Sequence, residues 1–243
     1  MRRIFCTDLD STIICSQVPS EFGICVAVKN GKNASFMRNE SYDKFLRIIN
    51  KIKTIPITTR CEKSYENIYL KKYFDYALVD NGAILVCQDP LVKEEWFNES
   101  MEISKPDRNN FDKIRKIIEN YGYYEKWGSE FVLDYVNKDA TPELQEKIRK
   151  EIEPFSSNFL INIGKTSFLC TFNSLSKGEN IKRFAKKFGY ELYISAGDNK
   201  EDESMFKVTS ISIGKKNATF NFDIKDKLDY CDKVIDKVCE IIK

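Results

Sequence analysis

Two aspartates near the start of the chain, Asp8 and Asp10, constrain the fold more than any other feature. They follow directly on an apolar segment, Arg3 to Cys6, that has the character of a buried strand. Residues two apart on a strand point to the same side, so two carboxylates placed there repel each other. Open α/β sheets form their ligand sites at the carboxyl ends of their strands. The pair therefore predicts a site at a strand end, in which another charge offsets the repulsion.

The overall composition is that of a globular protein and excludes several functional classes. Lysine and arginine total 39 and aspartate and glutamate total 37 in 243 residues, a balance of +2. This balance argues against nucleic acid or an anionic membrane as the main partner. No apolar stretch approaches the ~18 residues of a membrane span, and the first residues lack the apolar core of a signal peptide. We therefore expect a cytoplasmic protein, monomeric or homodimeric, that binds neither nucleic acid nor membranes.

The chain contains no histidine. Catalytic triads with histidine and histidine-ligated metals are therefore impossible, and acid–base chemistry falls to carboxylates, lysine, tyrosine or metal-bound water. The eight cysteines are scattered without a C-x-x-C pair, so we expect them to be reduced and mainly buried. Basic pairs such as Lys215-Lys216 are expected to lie on solvated faces.

Apolar periodicity along the chain predicts an α/β core interrupted by an α+β insert. The predicted strands are Arg3–Cys6, a hairpin over Gly23–Met37, Thr54–Arg60, Tyr76–Val79, Phe131–Val136, Phe159–Ile163, Phe168–Phe172 and the segments 192–196 and 211–214. The predicted helices are Ser41–Ile52, Ser64–Leu70, one after Lys105-Pro106 that ends at Gly122, one that starts at Thr141-Pro142, Lys177–Phe188 and a last one that reaches Ile242. From about residue 88 the sequence becomes more charged and aromatic. We therefore assign residues 1–87 and 174–243 to the core, with a hairpin near 23–37, and residues 88–173 to the insert.

Two further predicted strands end in residues with useful chemistry. The segment PITTR offers Thr58 and Thr59, and the segment ISAGDNKED offers Asp198 and Asp202. Carboxylates from separate strand ends of one sheet can converge. Such a cluster without histidine makes a hard, oxygen-rich pocket that suits Mg²⁺.

Lys177 stands at an unusual position for a lysine. The segment from Ser176 to Glu179 has the form of a capping box, with Ser176 as the N-cap. Lys177 is then the first helical residue, where a cation opposes the helix dipole at a cost of about 0.3–1 kcal/mol. Gly178 weakens the helix further. A lysine and a glycine at these two positions are explained if this helix start faces an anion.

Four segments, in this order, resemble the four motifs of the haloacid dehalogenase-like phosphatases. The segment Asp8–Thr12 resembles the nucleophile motif, Thr58 the phosphate-binding threonine, Lys177 the family lysine, and Asp198 with Asp202 the acidic motif. The resemblance covers both ends of the chain. It implies a three-layer Rossmann-like parallel sheet as the core.

A narrower resemblance is to the Cof-type and sucrose-phosphatase-like sugar phosphatases of this superfamily. It rests on the segments Thr58–Arg60, Asn81–Ala83 and Ser176–Gly178, and on the position of the insert between the second and third motifs. The insert would then be a smaller α+β cap that covers the site. The implied activity is the Mg²⁺-dependent hydrolysis of a small phosphate ester, a sugar phosphate above all.

The resemblance also implies roles for individual residues. Asp8 would attack phosphorus to form an aspartyl-phosphate. Asp10 would protonate the leaving oxygen and later deprotonate water, its protonated form favoured by burial or by the neighbouring Asp8. Thr58, Thr59 and Lys177, together with Asp8, would contact the phosphoryl group.

The implied metal site uses the acidic residues of the first and last motifs. Mg²⁺ would be held by Asp8, by the backbone carbonyl of Asp10 and by Asp198. Asp202 would support Lys177 or complete the shell around the metal.

Some residues depart from the family pattern and keep other functions open. Glu201 stands where the Cof-type relatives usually have asparagine, and Thr59 replaces the usual glycine or serine. The extra negative charge of Glu201 motivates one alternative, a catalytically weakened binding or regulatory protein. A second alternative is a phosphomutase-like enzyme that transfers the phosphoryl group to a sugar hydroxyl.

The residues of the cap that contact substrate are not fixed by the motifs. Arg60, Lys165 and Asn173 are candidates. Aromatic residues of the insert are expected to pack in cores and sheets rather than to form a platform for a sugar: Trp96, Tyr121, Tyr123, Tyr124, Trp127 and Tyr135.

Overall fold

A computed structural model describes residues 2–16, 23–222 and 227–243, with the side chains of residues 227 and 228 left out. The strands within these ranges are β1 (Arg2–Thr7), β2 (Gly23–Lys29), β3 (Lys32–Arg38), β4 (Lys53–Pro56), β5 (Ala77–Val79), β6 (Ile84–Val86), β7 (Tyr124–Glu125), β8 (Val132–Val136), β9 (Phe159–Ile163), β10 (Ser167–Phe172), β11 (Tyr190–Ala196), β12 (Ile211–Gly214) and β13 (Phe220–Asn221). The helices are α1 (Asn39–Lys51), α2 (Glu62–Tyr65), α3 (Pro90–Ser104), α4 (Arg108–Asn120), α5 (Pro142–Ile152), α6 (Lys177–Phe188), α7 (Glu203–Phe206) and α8 (Lys227–Ile241).

The centre of the molecule is a five-stranded parallel sheet in the order β13-β12-β11-β1-β4. Strand β1 lies between β11 and β4, which are far apart in the sequence. At its carboxyl end Thr7 is opposite both Ala196 of β11 and Pro56 of β4. The segments that follow these strands therefore meet at one edge of the sheet.

Helices cover both faces of this sheet. Successive residues of β1 point to opposite faces, and each face has its own buried cluster. Phe5 packs in one buried cluster with Phe45 of α1 and Val234 of α8. Ile4 packs in a different cluster with Phe184 of α6. The result is the three-layer α/β core that the sequence predicted.

The inserted part of the chain forms a second, smaller sheet. It is antiparallel, in the order β7-β8-β10-β9, and α4 and α5 pack against it. Phe111 of α4 and Phe168 of β10 lie in its buried cluster, together with Tyr123 and Tyr135. The prediction of an α+β insert in an α/β core is confirmed, while the division at residues 88 and 173 stays a prediction.

Helix α3 was not predicted, although the sequence carries its start signal. Asp89 is the N-cap and accepts hydrogen bonds from the backbone N–H groups of Leu91 and Val92, and Pro90 occupies the first turn. The many charged residues of the helix hide its apolar positions. Trp96 is nevertheless fully buried against the core, where its indole N–H donates to the carbonyl of Gly82 at 3.0 Å. Trp96 is therefore a packing residue, as expected.

The helix predicted over Ser64–Leu70 was wrong in its extent. Helix α2 ends at Tyr65, and a 3-10 turn over Tyr69–Tyr73 follows. The residues between them pair with β2 instead, since the Val28 N–H donates to the Asn67 carbonyl at 3.0 Å. Pairing with the β2–β3 hairpin thus interrupts the helix.

The cysteines and the helix lengths agree with the expectations from the sequence. All eight cysteines lie in the described residues, and none forms a disulfide. Within the same ranges, no helix combines the length and the apolar character that crossing a membrane requires.

The core packing predicts a large effect of truncating Phe184. This fully buried ring lies at centroid distances of 5.3 Å from Tyr76, 4.6 Å from Phe188 and 5.9 Å from Tyr190. We expect Phe184→Ala to lower the free energy of unfolding by about 3–5 kcal/mol, measured by urea denaturation. Tyr69→Ala, at a side chain that is 49% exposed, should change it by less than about 0.5 kcal/mol. Equal losses in the two variants would contradict the assignment of Phe184 to the core.

Candidate active site

Three segments that follow the neighbouring strands β11, β1 and β4 lie at one site. Asp8 follows β1, and its backbone N–H donates to the carbonyl of Ala196 at 2.9 Å. Asp198 follows β11 after Gly197. Ile57 follows β4, and its N–H donates to the carbonyl of Thr7 at 2.8 Å. These backbone bonds continue the sheet by one residue, so the side chains that come next are held at fixed positions.

Lys177, the first residue of α6, is buried between two carboxylates. Its ammonium group is 2.7 Å from Oδ1 of Asp8 and 2.7 Å from Oδ1 of Asp202. Burial alone would lower the pKa of Lys177, but the two carboxylates outweigh burial and raise it. Ser176 caps the helix by accepting a hydrogen bond from the N–H of Glu179 at 3.4 Å. The capping pattern in the sequence therefore located this lysine correctly, facing anions at the helix start.

The second carboxylate oxygen of Asp202 holds the loop that carries Asp198. Oδ2 of Asp202 accepts from the backbone N–H groups of Asp198 and Asn199, each at 2.9 Å. Gly197 is required here, because a Cβ at this position would overlap the Asp202 side chain. The carbonyl of Gly197 in turn accepts from the buried hydroxyl of Tyr230 on α8 at 2.5 Å. The loop is thus fixed from both sides.

Asp198 has a cation partner that the sequence did not reveal. The ammonium group of Lys215 lies 2.7 Å from Oδ2 of Asp198, so this lysine, although its side chain is 31% exposed, pairs with a buried carboxylate. Lys215 follows β12, which lies next to β11 in the sheet. The strand order, which sequence patterns do not give, brings the lysine to the same edge.

The carboxylates of Asp8, Asp198 and Asp202 fit a divalent cation. One oxygen of each lies within 4.8 Å of the others, and all three side chains are buried. Among the described residues, these three carboxylates have two ammonium partners, those of Lys177 and Lys215. Burial raises the pKa of Asp8 to about 8, although Lys177 opposes this, and burial also raises the pKa of Asp198. An all-oxygen donor set with excess negative charge is what Mg²⁺ binds.

Asp10 lies beside this group, with its carboxylate engaged elsewhere. Arg60 binds it with two parallel hydrogen bonds, from Nε at 2.6 Å and from Nη2 at 2.7 Å. The sequence pattern indicates burial or Asp8 as the influence on Asp10 and does not indicate the contact with Arg60. A bidentate guanidinium contact fixes the orientation of a carboxylate. The contribution predicted for Asp10 at the metal, through its backbone carbonyl, stays a prediction.

The two threonines after β4 take different positions. Thr58 is buried, and its hydroxyl accepts from the backbone N–H of Arg60 at 3.2 Å. Thr59 lines the cavity next to Asp8. On the other side of Asp8, the Thr12 hydroxyl donates to Oδ2 of Asp8 at 3.2 Å. Phosphate binding by Thr58 and Thr59 stays a prediction.

A cavity of about 260 Å³ lies over these groups, between the two sheets. Its walls come from both parts of the chain. The core supplies Asp8, Asp10, Thr59, Lys177, Asn199, Glu201 and Asp202, and the inserted sheet supplies Lys126, Asp134, Asn162, Ser167 and Leu169. The cavity is therefore closed over by polar side chains of the insert.

The residues of the insert that line the cavity were missed by sequence reasoning. Lys165 and Asn173 were the candidates, yet among the described residues the lining of this cavity includes neither of them. Strand alternation carried a usable signal, because Ser167 and Leu169 are two apart on β10 and share a face. The pattern alone does not say which face of the small sheet covers the core.

A family model described as haloacid dehalogenase-like hydrolase matches residues 20–238. No curated protein matches the sequence. The matched range begins after Asp8 and Asp10, so these two residues are placed by the geometry above.

Several solved structures resemble this chain at low identity. One is the sucrose-phosphatase of Synechocystis sp. PCC6803 in complex with sucrose and phosphate, with a TM-score of 0.60 and 14% identity over 90% of this chain and 85% of that one. Another is the C-terminal domain of the C. albicans trehalose-6-phosphate phosphatase, with a TM-score of 0.61 and 15% identity over 98% and 92%. A sugar phosphatase of HAD subclass IIB has a TM-score of 0.60 and 13% identity over 97% and 98%. These resemblances show the fold.

The buried carboxylates predict a cation effect on stability that depends on pH. Folded Asp8 retains a proton up to about pH 8, whereas unfolded Asp8 has released it, so without metal stability falls as the pH rises toward 8. Protons and Mg²⁺ compete for the same oxygens. We expect Mg²⁺ to raise the melting temperature clearly at about pH 8.5 and much less at about pH 6. The affinity for Mg²⁺ should fall about tenfold for each unit by which the pH is lowered, for each proton displaced.

The matched variants for this measurement are Asp198→Asn, which removes one ligand, and Asp43→Asn, at an exposed position of α1. Asp198→Asn should lose most of the Mg²⁺ effect and Asp43→Asn should keep it. An effect that is the same in both variants, or that is larger at the lower pH, would show that Mg²⁺ binds elsewhere.

Gly178 predicts a second effect at the start of α6. Its N–H donates to the hydroxyl of Ser204 at 3.0 Å, and a Cβ there would overlap the Ser204 carbonyl oxygen. Gly178→Ala must therefore push α6 away from α7 and displace Lys177. We expect a loss of about 1–3 kcal/mol in the free energy of unfolding and a weaker Mg²⁺ effect on the melting temperature.

Gly189, at the other end of the same helix, is the matched control. It has φ of +70°, and nothing lies within 4 Å of an added Cβ. Asparagine tolerates this conformation, so Gly189→Asn should change stability little. Comparable losses for the two glycine variants would mean that the contact with Ser204 is not a tight one.

Proposed function

The chain belongs to the haloacid dehalogenase-like hydrolase family, and from this we propose that it is a Mg²⁺-dependent phosphomonoesterase. Its substrate would be a small phosphorylated metabolite of the sugar phosphate class. Hydrolysis would pass through an aspartyl-phosphate on Asp8. The segment 88–173 would act as the cap over the site.

One observation carries this proposal: Asp8 meets Lys177, Asp198 and Asp202 in a buried cluster at one end of the parallel sheet. A nucleophilic carboxylate, a fixed ammonium group and two further carboxylates are what phosphoryl transfer through an aspartate requires. The groups come from three separate segments of the chain, so chance proximity along the sequence does not explain them.

The first half of the proposed reaction is an attack by Asp8 on the phosphorus atom. An oxygen of Asp8 forms a bond to phosphorus while the bond from phosphorus to the ester oxygen breaks. Asp10 donates a proton to the departing oxygen. Lys177, kept charged by Asp8 and Asp202, holds a phosphoryl oxygen and the attacking carboxylate in place.

The second half regenerates the carboxylate. Asp10 takes a proton from a water molecule, and this water attacks phosphorus as the bond to Asp8 breaks. The two hydrogen bonds from Arg60 hold the Asp10 carboxyl group in place for this proton transfer. Mg²⁺, when bound by Asp8, Asp198 and the carbonyl of Asp10, would supply positive charge against the repulsion between the Asp8 carboxylate and the phosphate dianion.

The proposed class of substrate is supported by the walls of the cavity. Lys126, Asp134, Asn162 and Ser167 offer hydrogen-bond donors and acceptors above the phosphate site, which suits a leaving group with several hydroxyls. Solved structures with the same fold include a sucrose-phosphatase and a trehalose-6-phosphate phosphatase. We infer an ester of the same chemical class for this chain.

The test is the release of inorganic phosphate from a panel of sugar phosphates and 4-nitrophenyl phosphate. We expect turnover that requires Mg²⁺ and that is abolished in Asp8→Asn, because the nucleophile is gone. Asp10→Asn should lower kcat by about 10²–10⁴-fold, and the exposed Asp43→Asn should not change it. Phosphoryl transfer to a second sugar without release of phosphate would favour a mutase. No Mg²⁺-dependent turnover of any ester in the panel would refute the proposal.

A further inference from the structure

Glu201 differs from every other carboxylate that lines the cavity. Asp8 and Asp202 share Lys177, Asp10 is bound by Arg60, and Asp134 lies 2.6 Å from the ammonium group of Lys126. Glu201 forms no ion pair within the described part of the chain. Its side chain accepts one long hydrogen bond, from the Asn162 amide at 3.5 Å.

Glu201 is buried at the wall of the cavity, where its carboxylate can contact a bound ligand. The residue is only 7% exposed, and it lines the catalytic cavity together with Asn162 and Lys177. Glu201 and Lys177 also line a second cavity, of about 370 Å³, which continues between the core and Leu160 and Thr171 of the inserted sheet. Glu201 therefore stands where the two cavities meet, beside the lysine of the phosphate site.

A buried carboxylate without a cation is unfavourable unless hydrogen-bond donors surround it. The amide of Asn162 donates one long hydrogen bond to Glu201, so other lone pairs of this carboxylate can accept from a ligand. A hydroxyl group of a substrate can donate to them. A negatively charged group at the same place would be repelled, because little solvent screens the two charges.

We propose that Glu201 is a specificity-determining residue that accepts a hydrogen bond from a hydroxyl of the leaving group and excludes leaving groups that carry a negative charge. This inference rests on the proposed function and refines it. The substrate is then the phosphate ester of a neutral polyol or sugar. A phosphorylated sugar acid is rejected at the junction of the two cavities.

The test compares two esters with the same carbon chain, glucitol 6-phosphate and 6-phosphogluconate, which differ in having a hydroxymethyl or a carboxylate group at carbon 1. Binding to the Asp8→Asn protein with Mg²⁺ is measured by calorimetry, and kcat/KM is measured for the natural chain. We expect at least about tenfold preference for glucitol 6-phosphate in both measurements. In Glu201→Gln, which is isosteric and neutral, the preference should fall to within about threefold of unity. Hexyl phosphate, which lacks hydroxyls, should bind more weakly than glucitol 6-phosphate to Asp8→Asn.

Glu143→Gln is the matched control, since Glu143 is exposed at the start of α5 and lines neither of the two cavities. This control variant should keep the preference of the natural chain for glucitol 6-phosphate over 6-phosphogluconate. Melting temperatures establish that each variant is folded. The preference of the natural chain between the two esters is measured without any substitution at Glu201.

The outcomes separate this inference from the proposed function. If the natural chain hydrolyses both esters equally well, or if Glu201→Gln keeps the preference, the role of Glu201 is refuted while hydrolysis stands. If Asp8→Asn binds the neutral ester preferentially but the natural chain releases no phosphate, hydrolysis is refuted and the selective role of Glu201 stands. Binding of hexyl phosphate to Asp8→Asn as tightly as glucitol 6-phosphate would also overturn the inference.

Discussion

The arrangement of the site depends on one buried ammonium group, that of Lys177, held between Asp8 and Asp202 at 2.7 Å from each. A lone ammonium group is strongly disfavoured in a protein interior, and so is a lone carboxylate. Here each charge makes the burial of the others tolerable. Removal of one partner from such a group costs about 3–5 kcal/mol, because an uncompensated charge remains. The chemistry and the stability of this end of the sheet therefore rest on the same contacts.

The parallel sheet is what makes this contact available. Asp8 and Lys177 are 169 residues apart in the sequence, and no local structure could hold them together. In a parallel sheet the strands all end at one edge, so residues that follow β1, β11 and β12 converge without any need for proximity along the chain. Two lysines and three carboxylates then meet where each segment leaves the sheet. The residual negative charge of this group explains why a divalent cation fits it.

The sequence was sufficient where the physics is local or follows from the strand ends. Asp8 and Asp198 were predicted because both follow apolar strands, and Lys177 because a lysine at the start of a capped helix needs an anion. The partners of these residues were harder to predict. Arg60 reaches Asp10 only through the turn that follows β4, and Lys215 reaches Asp198 only because β12 neighbours β11. Similarly, the alternation in β10 defines two faces but not the one that covers the core. Long-range placement, rather than residue chemistry, was the missing information.

The hydroxyl of Tyr230, which binds the carbonyl of Gly197, has a consequence for the biosynthesis of the protein. The loop that presents Asp198 is held by a helix that leaves the ribosome after all other parts of the site. A nascent chain that has already exposed Asp8 still lacks the support of α8 on one face of its sheet. The contact that holds the loop with Asp198 from this side can therefore form only after residue 230 has been synthesised.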